Sequence, residues 1–299
     1  MSNSNMGRRS FLKGAAVAAA GVPYFVSSSA FGKDRPPPSE RITIGCIGVG
    51  GRGTGNMQTF LRKDEAQVVA VCDVDKRHSD RAKQITDKHY GNKDCETYKD
   101  FRKMLEQEDL DAVSIAVPDH WHALPAIAAA RAGLDIYAEK PLARSIREGR
   151  AMCQAVHRAG VVWQTGCQQR STGNFRRACE LVRNGHIGEI EKVEVGLPHG
   201  STTGNHPPEP VPPELDWEFW LGPAPFAPYH HLRCHWNWRW ILDYSGGQLT
   251  DWAGHHIDIA HWGLGRSRTG PVEIEGEGTY PEDGLWNTPY AYRFTCKYK

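Results

Sequence analysis

An excess of charge of either sign is missing from this sequence: 36 Lys and Arg stand against 35 Asp and Glu in 299 residues. A balanced chain leaves no electrostatic footprint for nucleic acid or an anionic membrane, so a small neutral or modestly charged ligand is the expected partner. Paired cysteines are missing too. The eight cysteines, at 46, 72, 95, 153, 167, 179, 234 and 296, include no CxxC and no short regular spacing, which argues against a zinc ribbon or a disulfide framework. Cys46 and Cys72 fall in apolar runs and read as small buried hydrophobes. A stable membrane anchor is the third absence, because the Ala-rich stretch near the N-terminus is too weakly apolar to serve as a spanning helix.

That stretch has instead the layout of an export signal. In GRRSFLKGAAVAAAGVPYFVSSSA a basic start (Arg8, Arg9, Lys13) precedes a short apolar region, and Ser28 and Ala30 supply the small residues of a cleavage site. The RRSFLK element resembles a twin-arginine signal, with Gly7 where Ser or Thr is usual. Such signals export folded proteins, which suits a protein that must be loaded with a cofactor first. Residues 1–32 are thus expected to be a twin-arginine signal peptide leading to the periplasm or another extracytoplasmic space, and residues 33–40 a Pro-rich linker.

From residue 41 the pattern is that of a packed chain long enough for two domains. The apolar strand of RITIGCIGVG runs into glycines and then into helical spacing, and Gly48-x-Gly50-x-x-Gly53 fits a dinucleotide turn. The glycines allow a tight turn, an open backbone for pyrophosphate and close helix–strand packing. A second apolar strand ends at Asp73, twenty residues after Gly53, where a carboxylate accepts ribose hydroxyls and repels a 2′-phosphate. NAD is therefore favoured over NADP, with Arg77 near enough in sequence to bear on that choice. Helices are expected near 78–90, 98–106, 122–133 and 145–159, alternating with strands at 111–117, 134–139 and 161–165. Such alternation implies an α/β fold with a parallel sheet covered on both faces, whose ligands gather at the carboxyl ends of the strands. VPDHWH (117–122) and AEKP (138–141) lie at two of those ends. Lys140, between a buried strand and Pro141, projects into the crevice; His120 and His122 fit packing or capping as well as ligand contact.

The second half is less regular. Residues 171–185 read as an amphipathic helix stopped by Gly185, residues 190–197 as a strand, and residues 292–299 as a half-buried strand with Tyr292, Phe294, Cys296 and Tyr298 on one face. Between them, residues 198–245 form a long irregular stretch rich in Pro, Trp and His, and long loops in compact domains are usually functional. Its aromatic rings, with Arg233 and Arg239, suit a sugar, although any single Trp there is better explained as structural. GGQLTDWAGHHIDIAHWGLG (246–265) follows. Asp251 and His255 stand at i, i+4, where the carboxylate can fix the imidazole tautomer and favour its protonated form. Asp258 lies along the same face, His256 points elsewhere, and His261 reads as packing. A helical metal pair wants two histidines at i, i+4; those at 255, 256 and 261 are spaced by one, five and six, so no metal is expected.

In this order and spacing, GVGGRG, VCDVD, PDHWH, AEKPLA and GGQLTDWAGHHIDIAHW resemble the glucose-fructose oxidoreductase/inositol dehydrogenase (Gfo/Idh/MocA) family over nearly all of residues 41–299. The resemblance implies an NAD-binding Rossmann domain (41–166) and a C-terminal α/β domain (167–299) with a largely antiparallel open sheet that often pairs subunits, hence a homo-oligomer. It implies a catalytic set at Lys140, Asp251 and His255, a loop beside the nicotinamide at Pro118 and His122, and a Lys140–Pro141 peptide that is often cis. Arg52, Glu139 and Gln168 join Gly48, Gly50, Gly53 and Asp73 as candidate cofactor contacts; Arg170, Arg239 and His256 are candidate substrate contacts. Family members usually continue past such a last strand, so the second domain is expected to be incomplete, with an exposed sheet edge.

The function that follows is an exported NAD(P)-dependent oxidoreductase acting on a secondary hydroxyl of a sugar, polyol or glycoside. An alternative is a glycosidase or lyase that keeps NAD tightly bound and cycles it without net redox change, which removes the need for a nicotinamide pool outside the cytoplasm. Intact Lys140, Asp251 and His255 argue against a third reading, a non-enzymatic sugar-binding protein.

Overall fold

Six parallel strands form the main sheet: β1 (Ile42–Ile47), β2 (Ala66–Cys72), β3 (Glu96–Tyr98), β4 (Ala112–Ile115), β5 (Asp135–Glu139) and β6 (Trp163–Gly166). These come from a computed structural model that describes residues 36–299; the export-signal reading of residues 1–32 lies outside them. Their spatial order is β3-β2-β1-β4-β5-β6. The chain winds one way from β1 to β3 and the other way from β4 to β6, so a crevice opens outside the carboxyl ends of β1 and β4, where such sheets bind ligands.

Five helices cover the sheet: α1 (Gly51–Leu61), α2 (Lys76–Tyr90), α3 (Phe101–Gln107), α4 (Ala123–Arg131) and α5 (Ile146–Ala159). Successive strand residues point to opposite faces, and both faces are buried. Ile47, Cys72, Val113 and Ile136 pack on one side against Met104, the alanines of α4 and Met152. Ile44, Cys46, Val68 and Val71 pack on the other against Met57, Leu61 and Ala82. Each such side chain gains roughly 1.5–3 kcal/mol on leaving water, which is why these strands read as nearly continuous apolar runs.

Helix ends carry local signals. Asp75 caps α2 by accepting the Arg77 N–H (2.9 Å), Ser145 and Glu148 form a reciprocal capping box on α5, and Gly91 and Gly160 close α2 and α5 in the left-handed conformation. The helix expected at 98–106 starts later, at Phe101, because Asp100 caps it by accepting the Arg102 N–H (3.0 Å). Glu96–Tyr98 instead pair with Ala70–Cys72 as β3.

Beyond residue 167 the regular elements are α6 (Gly173–Arg183), α7 (Trp217–Leu221), α8 (Trp252–Gly263) and the antiparallel pair β7 (Glu273–Thr279) and β8 (Ala291–Lys297). Tyr292, Phe294, Cys296 and Tyr298 are half-buried on one face, as the alternation requires, while β7 is exposed throughout. The strand expected at 190–197 does not form: its backbone lies in no hydrogen-bonded ladder, and Val193 and Val195 are exposed. The chain from 212 to 245 builds its own aromatic core from Trp217, Trp220, Tyr229, Trp238 and Tyr244, packed against Val74. Among the described residues no helix is long and apolar enough to cross a membrane.

Candidate active site

A cavity of about 670 Å³ occupies the crevice. One wall starts from the turn between β1 and α1. Gly48 has φ +77°, and a Cβ there would come within 2.6 Å of the Ala116 carbonyl oxygen. A Cβ on Gly53 would meet the Gly48 oxygen at 1.8 Å, whereas one on Gly51 would meet nothing within 4 Å. No side chain caps α1, so the first amides of this helix face open space bordered by bare backbone, the form of an anion site. Asp73, beyond β2, is fixed at the same wall by accepting the Val49 and Asp75 N–H groups, both at 2.9 Å. Its four lone-pair sites leave capacity for ribose hydroxyls. Arg77 does not line the cavity; its guanidinium is held 2.8 Å from Asp75. This wall fits a dinucleotide.

The chemistry-bearing groups come from three elements. Lys140 follows β5 directly, ahead of a cis peptide to Pro141. Its Nζ donates to Asp251 Oδ1 (2.6 Å) and to the Asp251 carbonyl (3.1 Å). Arg239 lies between the rings of Trp236 and Trp238, 4.3 and 4.4 Å from their centroids, with Nε 3.4 Å from the same Asp251 oxygen. Burial works to raise the Asp251 carboxyl, but Lys140 and then Arg239 outweigh it and hold it below its ordinary value. His255, on the first turn of α8, is buried, and its Nδ1 has no hydrogen-bond partner. Burial first, and then the Lys140 charge, push this imidazole below its ordinary range against the pull of Asp251.

The expected Asp251–His255 pairing needs correction. Asp251 is the residue ahead of α8 and caps nothing; its carboxylate turns away to Lys140 and Arg239. The imidazole pKa is consequently lowered by burial and a neighbouring cation, which outweigh the pull of Asp251.

The other expected residues divide. Gly48, Gly50, Arg52, Asp73, Pro118, Glu139, Gln168 and Arg239 line the cavity with Lys140, Asp251 and His255. Glu139 is buried and accepts from Arg52 (2.7 Å) and Asn56 (2.9 Å), tying β5 to α1. Gly53 acts by packing, as its contact with Gly48 shows. His122 sits behind the wall, with Nε2 3.0 Å from the Val117 carbonyl, and burial lowers its pKa. His120 is equally internal, 3.2 Å from the Trp220 carbonyl and pushed down to about 4 by burial. Arg170 is away from the cavity, paired with Asp258 at 2.6 and 2.8 Å. His256 stacks edge-on against Trp252, also outside the lining. Sequence reading missed His78 and His235, which line the cavity beside Asp73; only the proximity of His78 to Asp73 in the chain hinted at either.

Comparison with known proteins agrees with this geometry. Residues 42–167 match a model described as an oxidoreductase family with an NAD-binding Rossmann fold, and residues 194–295 match the C-terminal alpha/beta domain of an oxidoreductase family. The chain is 28% identical over 224 residues to a myo-inositol 2-dehydrogenase of Thermotoga maritima, covering 75% of this chain and 55% of that one. A glycosyl hydrolase family 109 protein of Shewanella pealeana is 27% identical over 215 residues, covering 65% and 46%. The chain thus spans about half the length of these curated relatives. Among solved structures, an NAD-binding protein from Listeria innocua aligns at TM-score 0.62 and 19% identity over 85% of this chain and 62% of that one, a likeness of fold. With an NAD-binding Rossmann domain and a C-terminal alpha/beta domain matched in order over most of its length, the chain belongs to the Gfo/Idh/MocA oxidoreductase family.

Proposed function

We propose that the protein oxidises a secondary hydroxyl of a sugar, polyol or glycoside, and, with the twin-arginine reading of residues 1–32, that it works outside the cytoplasm. The observation that carries this is the convergence of Lys140, Asp251, Arg239 and His255 on the cavity whose opposite wall is the glycine turn and Asp73. When bound, NAD supplies a two-electron acceptor for the hydride of the carbinol carbon. Gly48, Gly50, Gly51 and Asp73 would hold it, with NAD preferred to NADP because Arg77 is committed to Asp75. His255, kept neutral, takes the hydroxyl proton as the carbonyl forms. Lys140, oriented by Asp251, donates a hydrogen bond to the same oxygen and stabilises its developing charge. Arg239 is fixed by its two tryptophans to contact further hydroxyls.

A second reading is a redox-neutral cleavage of a glycosidic bond, in which the hydride is returned and the cofactor never leaves. The Shewanella relative, called a glycosyl hydrolase, supports it at 27% identity beside 28% for the dehydrogenase. The deciding experiment denatures the purified protein, identifies any released nucleotide, and offers glycosides and polyols with and without added NAD. Reduction of added NAD supports oxidation; glycoside cleavage without it supports the redox-neutral cycle; neither, with no nucleotide bound, overturns both.

A further inference from the structure

The irregular chain from 212 to 245 is pinned across the carboxyl edge of the parallel sheet. Past β2, the Lys76 N–H donates to the Glu214 carbonyl (2.9 Å) and the Asp216 N–H to the Val74 carbonyl (3.0 Å). Past β4, the Trp121 indole donates to the Trp220 carbonyl (2.8 Å). Past β5, Arg144 donates to the Leu242 carbonyl (2.7 Å). These anchors make the segment a strap over the mouth of the crevice.

Within the strap, Cys234 is buried and His235 has φ +58°, the one non-glycine residue in the left-handed region among the described residues. That conformation is unfavourable for an L-residue and persists where surrounding contacts over-determine it. Here it aims the imidazole across the crevice at the loop after β2. His235 Nε2 lies 3.3 Å from Asp75 Oδ2, and its ring meets His78 edge-on with centroids 4.8 Å apart. His78 Nδ1 in turn lies 3.4 Å from the Asp73 carboxylate. Asp75 is fully buried and already bonded by Arg77, so the catch is rigid. His78 and His235 line the cavity at the end where Asp73 fits a ribose. Asp75, His78 and His235 are also close enough together to hold a cation, but the Arg77 guanidinium on the same carboxylate oxygen disfavours one.

We propose that His235 and His78 form a latch that closes the strap over the adenosine end of the crevice, making NAD a retained cofactor that leaves only when the strap lifts. This rests on the NAD assignment and deepens the redox-neutral reading, in which the cofactor must survive many turnovers in place. The test loads the full protein with NADH and follows loss of its fluorescence on dilution into excess NAD. Expected is release about tenfold faster in His235→Ala, since contact changes appear chiefly in off-rates. His235→Gly, which keeps the backbone conformation and removes the imidazole, should release equally fast, which assigns the effect to the lost ring and not to a rearranged turn. Wild-type release rates in both variants overturn the latch while leaving the cofactor assignment standing. Failure of the wild type to bind NADH overturns both, and release accelerated by a chelator overturns the latch in favour of a bridging cation.

Discussion

The wall built by β1, α1 and the end of β2 holds its ligand with backbone, through bare glycines, uncapped amides and a carboxylate itself fixed by two amides. The wall built by the strap, the end of β5 and α8 offers side chains: a lysine, an arginine between tryptophans, a carboxylate and a buried imidazole. The first follows from a local turn and tolerates little variation. The second assembles residues from distant parts of the chain, as Lys140 and Asp251 lie 111 residues apart, so its members can be exchanged for other chemistry while the first wall stays as it is. Binding and reaction should therefore be separable by mutation.

The largest separation is expected for Lys140→Met. It removes the donor to the substrate oxygen and one of two cations on Asp251 while leaving the glycine wall intact. Turnover should fall about 10²–10³-fold, the usual cost of removing one donor to a developing oxyanion, with NADH affinity within a few-fold of wild type by titration calorimetry. Turnover close to wild type would remove Lys140 from the chemistry.

The converse variant is Gly53→Ala. Its Cβ would lie 1.8 Å from the Gly48 oxygen, and since backbone cannot yield as a flexible side chain does, the whole turn must shift. Overpacking of this kind costs about 1–3 kcal/mol. The expected outcome is a lowered melting temperature and NADH affinity reduced about 5- to 150-fold, with the His255 titration unchanged. Affinity equal to wild type would show that the turn is not part of the cofactor site.

The same division explains what the sequence disclosed. The glycine turn, Asp73 and Lys140 were legible because strand periodicity and the conformational demand of glycine act over a few residues. Even there β3 was hidden, its three residues too short for any period. In the second half, i, i+4 spacing suggested that Asp251 serves His255, and it failed because α8 begins at Trp252, leaving the Asp251 carboxylate free to turn towards Lys140. His235 carries no local signal at all, since its place beside His78 depends on the whole strap. Strand β7 is exposed on both faces, so no apolar alternation announces it, and it exists through its pairing with β8.

The finest test of the contrast is electrostatic and can be read without turnover. The ordinary histidine pKa is about 6.5, and in the folded protein that of His255 lies lower, through burial and then the Lys140 charge, with Asp251 pulling it upwards. His255 therefore stays neutral, and competent as a base, to a pH below the ordinary histidine range, and the acid limb of kcat/KM should fall below that range. Removing the Lys140 cation in Lys140→Met should raise the His255 pKa, whereas Asp251→Asn, which removes the favourable anion, should lower it further. Imidazole proton NMR follows both, with the His255 signal among the 14 histidines identified by its loss in His255→Gln. Shifts of opposite sign in the two variants are what the observed arrangement requires. A downward shift in Lys140→Met, or an upward one in Asp251→Asn, would mean that these two charges do not act on His255 as the observed arrangement requires.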